Sequence, residues 1–169
     1  MVRSLNRLAA LVLGLAILAV ANAAKGYSNA QRVVATGELV DVFCEAGEAY
    51  GIDWRLLMAQ CWKESNFVLN ARGAAGERGM AQFMPATWQR FGQGDPDDPR
   101  AAALAQARYL RYIADYLNTS DVAIIIAAYN AGEGSAGARN RNFADFPAST
   151  RAYTTDVLRR YELLKRVWR

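Results

Sequence analysis

Three aspartates divide this chain into helices. Asp53, Asp98 and Asp121 each stand directly before a run with apolar residues at helical spacing. A carboxylate there caps the unpaired N–H groups of a first turn. Pro99 follows Asp98 at the first helical position, and Gly132 closes the run from Val122 to Ala131. The pattern predicts helices over Ser28 to Tyr50, Trp54 to Ser65, Pro85 to Phe91, Pro99 to about Leu117, and Val122 to Ala131. A last helix starts at Ser149 or Thr150 and reaches Val167. Residues 66–79, 92–98 and 132–147 read as loops. No alternating run of useful length is present, so the expected fold is all-α, mainly helical, with little or no sheet.

At 169 residues the chain suits one domain with its own core. Residues 1–23 stand apart from it. Arg3 and Arg7 precede an apolar run from Leu8 to Ala21, followed by the small-x-small site Ala21-Asn22-Ala23. That run falls short of the ~20 residues a spanning helix needs. It predicts a cleaved secretory signal, with a short membrane anchor as the alternative, and a mature domain over 24–169. Export to the periplasm or cell envelope is therefore expected.

Export leaves two readings open for Cys44 and Cys61. They are a disulfide worth about 3 kcal/mol, or two buried thiols filling core volume. The formal charge is +4, with an excess of basic residues from Arg139 onward against Asp145, Asp156 and Glu162. Such an end suits an anionic polymer or membrane surface, although a solvated helix face explains it as well. No nucleic-acid motif accompanies it.

The chain has no histidine, which removes the usual general base and the commonest metal ligand. A carboxyl-driven reaction is the natural reading. Glu64 shares a helix face with Leu57 and Cys61, so its carboxyl is predicted to lose solvation and gain a raised pKa. Such a group can hold a proton near neutrality and give it to a leaving oxygen. Three further stretches stand out: Gly79-Met80-Ala81-Gln82-Phe83-Met84-Pro85, Ala127-Ala128-Tyr129-Asn130-Ala131-Gly132, and Thr150-Arg151-Ala152-Tyr153. Sugar sites combine aromatic faces with amides and hydroxyls in this way. Each stretch alone also has a structural explanation.

Together with Glu64-Ser65, in this order and spacing, these segments resemble the catalytic domain of the soluble lytic transglycosylases, the lysozyme-like SLT family. The resemblance runs from about Tyr50 to Leu158. It implies a lysozyme-like helical fold and cleavage of the β-1,4 bond between N-acetylmuramic acid and N-acetylglucosamine in peptidoglycan. By position, Glu64 matches the family's single catalytic acid/base. Ser65, Met80, Gln82 and Phe83 would line the groove, Tyr129 and Asn130 would hold the muramic sugar, and Tyr153 would approach Glu64 from the far side. Peptidoglycan glycan strands are the implied partner of a monomer that needs no cofactor or metal. A secretion, conjugation or phage entry machine could carry such a domain.

The chain departs from the family pattern at Gly73, where a serine is frequent, at Glu77, where alanine is usual, and at Ser149. Glu77 resembles the acidic position of goose-type lysozymes. A second carboxylate ~6.5–9.5 Å from Glu64 could activate water for inverting hydrolysis. Its bland reading is a loop carboxylate paired with Arg72 or Arg78, or simply solvated. A reading of another class is a wall-binding assembly component without turnover.

Overall fold

The computed structural model describes residues 37–168. The expectations for residues 1–23 and the start of the first predicted helix at Ser28 lie outside them. Seven α-helices follow in order: α1 Gly37–Tyr50, α2 Trp54–Ser65, α3 Pro85–Phe91, α4 Pro99–Tyr116, α5 Val122–Ala131, α6 Ala136–Asn140 and α7 Ala148–Val167. The fold is all-α. Among the described residues, β pairing is confined to isolated bridges joining Arg72 to Arg78 and Arg78 to Phe83.

The aspartates act at the three helix starts. Asp53 accepts from the Arg55 amide at 2.9 Å, Asp98 from the Ala101 amide at 2.7 Å, and Asp121 from the Ala123 amide at 2.8 Å. Each such cap is worth about 1 kcal/mol. At its far end α2 stops because Asn66 turns left-handed, at φ 54°, and its N–H returns to the Trp62 carbonyl.

Helix α1 packs on α2 and α4, while α7 packs on α2 and α5. Phe43, Leu57, Met58, Leu110, Ile113, Ile126 and Leu164 are fully buried at these seams. Burying each such side chain contributes roughly 1.5–3 kcal/mol relative to exposure. Helix α2, buried from Leu56 to Cys61, is held from several sides. Its last turn is therefore a rigid mount for Glu64.

One feature differs from the sequence reading. Residues 132–147 are not simply loop: they contain α6 and a 3₁₀ turn at Phe143–Asp145. Helix α6 has no side-chain cap at Ser135 and depends on close packing instead. A Cβ on Gly137 would stand 2.5 Å from the Phe146 ring, so glycine is what lets the helix reach it. Of the two readings left open for the cysteines, neither is met in full: Cys44 and Cys61 are free thiols, Cys61 buried and Cys44 partly exposed. Cys61 is buried, and its Sγ donates to Gln106 Oε1 on α4 at 3.1 Å instead of meeting Cys44.

Candidate active site

Glu64 stands in the last turn of α2, against α7. Its Oε1 accepts a 2.5 Å hydrogen bond from the Tyr153 hydroxyl. Protein surrounds the carboxyl on all sides but the cleft, and this burial pushes its pKa up to about 7. The Tyr153 donation and the charge of Lys63 oppose the rise, while the Glu77 charge adds to it. At neutral pH the group is close to half protonated, so it can either give or take a proton.

The floor and walls come mainly from two segments. In the loop before α3, Gly79 has φ 75°, and a Cβ on it would stand 2.0 Å from the Pro96 carbonyl oxygen. Only glycine fits that approach. The turn it permits carries Gln82, itself left-handed at φ 50°, with Nε2 donating to the Gly79 carbonyl at 2.9 Å. From α5, Tyr129 donates its hydroxyl to the Ala81 carbonyl at 2.9 Å and so ties the α5 wall to the same turn. Burial raises the Tyr129 pKa well above its ordinary value, and the Glu64 charge adds to this, so the phenol stays neutral. Phe83 packs edge-on against Tyr129, with ring centroids 5.9 Å apart.

The result is a cleft of about 350 Å³ bounded by Glu64, Glu77, Gln82, Phe83, Met84, Thr87, Tyr109, Tyr129, Asn130 and the turn from Ala131 to Glu133. Asn130 accepts at Oδ1 from the Thr150 hydroxyl at 2.9 Å, which leaves its amide nitrogen as a donor for a ligand. Five of the residues singled out from sequence thus share one cavity: Glu64, Glu77, Gln82, Tyr129 and Asn130, with Phe83 as a sixth at its edge. Tyr153 stands behind Glu64. Ser65 and Met80 are not on the cleft wall. The Ser65 hydroxyl donates to the Met80 carbonyl at 2.8 Å and Met80 is fully buried, so this pair fastens the end of α2 to the Gly79–Pro85 turn.

The two departures at Gly73 and Glu77 belong together. Glu77 folds back so that its Oε2 accepts from the Ala75 amide at 3.0 Å. A Cβ on Gly73 would stand 2.1 Å from that same oxygen. Arg72 meanwhile pairs with Asp97 at 2.6 Å, and Arg78 reaches Asp97 at 3.9 Å, so neither holds Glu77.

Glu133 is a cleft carboxylate that the sequence reading missed. It accepts from the Tyr109 hydroxyl at 2.7 Å and from Arg90 at 3.0 Å. Burial pushes its pKa up, but these donors outweigh it and hold the carboxyl below its ordinary value. Glu133 is therefore a fixed acceptor, not an acid. Its signal was available as a charge directly after the Gly132 helix stop. Tyr109 had none, being one aromatic among the apolar residues of α4.

A family model described as the transglycosylase SLT domain matches residues 41–151. The membrane-bound lytic murein transglycosylase F of Nitrosospira multiformis is 35% identical over 108 residues, 61% of this chain and 23% of that protein. The peptidoglycan transglycosylase gp16 of Escherichia phage T7 is 34% identical over 103 residues, 57% of this chain and 8% of that protein. The solved 70 kDa soluble lytic transglycosylase of Escherichia coli superposes on 74% of this chain and 24% of its own, at a TM-score of 0.61 and 26% identity. The chain thus spans less than a quarter of the length of these relatives.

Proposed function

The chain belongs to the transglycosylase SLT domain family, and on that premise we propose that it is a peptidoglycan lytic transglycosylase with Glu64 as its single acid/base. The substrate is the β-1,4 bond between N-acetylmuramic acid and N-acetylglucosamine. Tyr153 occupies Oε1 of Glu64, so the transferable proton is carried on Oε2. Glu64 gives that proton to the glycosidic oxygen as the anomeric carbon takes on oxocarbenium character. The substrate's own 2-acetamido group stabilises the cationic carbon, which removes the need for a second carboxylate. Glu64, now ionised, takes the proton of the muramic C6 hydroxyl as that oxygen attacks the anomeric carbon. The products are a free 4-hydroxyl on one fragment and a 1,6-anhydromuramyl end on the other, with no water consumed.

The observation that carries this reading is a carboxyl held by Tyr153 at the floor of a cleft walled by Tyr129, Gln82 and Asn130, where burial pushes its pKa up to about 7. A glutamate in water, near 4.3, would be almost fully ionised at neutral pH and a poor proton donor. Pre-placing the C6 hydroxyl against the anomeric carbon favours the intramolecular alcohol over water. Asn130 and Gln82 supply amides for the sugar rim, and Met84, with 43% of its surface exposed, offers an apolar face at the cleft edge. Envelope localisation follows from this substrate, whether the protein serves a cell or a phage particle.

The test is mass spectrometry of products from purified sacculi, wild type beside Glu64→Gln. Anhydro ends, lighter than reducing ends by one water, are the expected product, and Glu64→Gln is expected to release no soluble muropeptides. A majority of reducing ends would transfer the reading to hydrolysis with Glu77 as the base. Sedimentation with sacculi but no release by the wild type would leave a wall-binding component.

A further inference from the structure

Behind Tyr153 lies a file of buried polar side chains that the reaction above does not use. Gln60 Nε2 donates to the Tyr153 hydroxyl oxygen at 3.2 Å. Gln106 Nε2 donates to Gln60 Oε1 at 2.9 Å and to the Leu57 carbonyl at 3.2 Å. Cys61 Sγ donates to Gln106 Oε1 at 3.1 Å. Gln60, Gln106 and Cys61 are each 0% exposed. Two uncharged amides in an apolar seam between α2 and α4 cost desolvation that leucine or methionine would not.

The direction of these bonds is forced from one end. The Leu57 carbonyl can only accept, so the nitrogen of the Gln106 amide must face it. That same nitrogen faces Gln60, which must then present its oxygen to Gln106 and its nitrogen to Tyr153. The phenol oxygen is thereby occupied as an acceptor, and its proton is directed onto Glu64 Oε1. Each donor in such a file polarises the next, so the phenol becomes a stronger donor than it would be alone.

We infer that Gln60 and Gln106 are positioning residues for the general acid: they fix Tyr153 as a one-way donor to Glu64 and so decide which carboxyl oxygen carries the proton to the sugar. The inference rests on the assignment of Glu64 above. A strengthened Tyr153 donor favours the ionised form of Glu64 and opposes the burial that raises its pKa. The other titratable groups facing Glu64 are Tyr129 on α5, Cys61 and Lys63 on α2, and Glu77 in the loop. Burial keeps Cys61 and Tyr129 neutral, and Lys63 is paired with Asp156 at 3.1 Å. Removing Gln60 alters none of these charges.

The experiment compares Gln60→Met, Gln106→Met and the double variant on soluble uncrosslinked glycan strands, with thermal melts alongside. Each single variant orphans a buried polar group and loses stability, whereas the double variant replaces both partners by apolar side chains and regains most of it. The expected result is that Gln60→Met and the double variant lower kcat about tenfold with KM nearly unchanged, a fraction of the 10²–10⁴ that general acid catalysis supplies. The basic limb of their pH–rate profile moves to higher pH. Gln106→Met, one bond further from the acid, shows the same changes at smaller amplitude. In a Tyr153→Phe background Gln60→Met adds less than about twofold, because its path to Glu64 is already cut.

A double variant that recovers stability, kcat and pH profile together would reduce the glutamines to packing and overturn the inference. So would an undiminished Gln60→Met effect in the Tyr153→Phe background. Glu64→Gln, run in parallel, separates the two levels. If it stays active the acid itself is misassigned. If it is dead while Gln60→Met matches the wild type, only the glutamine file falls.

Discussion

The seam between α2 and α7 holds two carboxylates that its neighbours drive in opposite directions. At one point Glu64 meets Tyr153, and burial takes its pKa up to about 7. One turn further along α7, Asp156 meets Lys63, Arg159 and Arg160 at 3.1, 2.9 and 3.3 Å. Burial also pushes Asp156 up, but hydrogen bonds and charge from these cations outweigh it and bring its pKa to about 2. The two groups share chemistry and a helix pair. What separates them is who donates: a neutral phenol at Glu64 and three cations at Asp156. A phenol returns only part of the solvation that a buried carboxylate loses. The seam therefore has a dry end that can move a proton and a charged rim that cannot.

The largest expected effect comes from removing the dry-end acid. Glu64→Gln is predicted to lower muropeptide release by at least about 10³-fold, at the scale of a general acid acting in both steps. The corresponding change at the rim, Asp156→Asn, is expected to leave release within about threefold in the same sacculus assay, since surface substitutions away from a site usually have small effects. Equal losses from the two would erase the distinction between the ends of the seam.

Next in size is Tyr153→Phe. It removes the donor to Glu64 and leaves burial in place, so kcat is expected to fall about tenfold and the basic limb of the pH–rate profile to move upward. A limb that moves downward would mean the phenol had favoured the protonated form.

Stability follows with opposite signs at the two ends. Glu64 has a folded pKa above its unfolded value, so the native state holds more protons between about pH 4.5 and 7 and loses stability as pH rises through that window. Glu64→Gln is therefore expected to be more stable than the wild type at pH 8, by about 3 kcal/mol, and nearly alike at pH 4. Asp156 has a depressed folded pKa, so its contribution is present above about pH 4 and fades as pH falls through 2. Asp156→Asn is expected to cost about 1 kcal/mol at pH 7, discounted for its partial exposure, and the difference should close near pH 2. Thermal melts of both variants across pH 2–8 check the pair of signs.

Much of this arrangement can be read in the chain before folding. The helix starts at Asp53, Asp98 and Asp121 are local chemistry, in which a short acceptor side chain meets the amides two or three residues on. The raised acid is foreshadowed by the spacing of Leu57, Cys61 and Glu64 on one face. Other features are not local. Helix α6 exists because Gly137 seats against the Phe146 ring, a contact that no cap or periodicity announces. Ser65 and Met80 sit in the stretches that carry the family resemblance, yet they serve by joining one segment to another behind the wall. Gln60 and Gln106 stand 46 residues apart, and their pairing becomes visible only when α2 and α4 meet. Cys61, a candidate for a disulfide, is committed to that same polar file.

The central claim is that burial, incompletely offset by Tyr153, holds the Glu64 carboxyl half protonated at neutrality. A carbon-13 NMR titration of the glutamate side-chain carboxyls, with Glu64→Gln identifying the resonance that disappears, reads this directly. A midpoint near pH 7 for that resonance is the predicted result. A midpoint in the ordinary range near 4.3 would contradict the account.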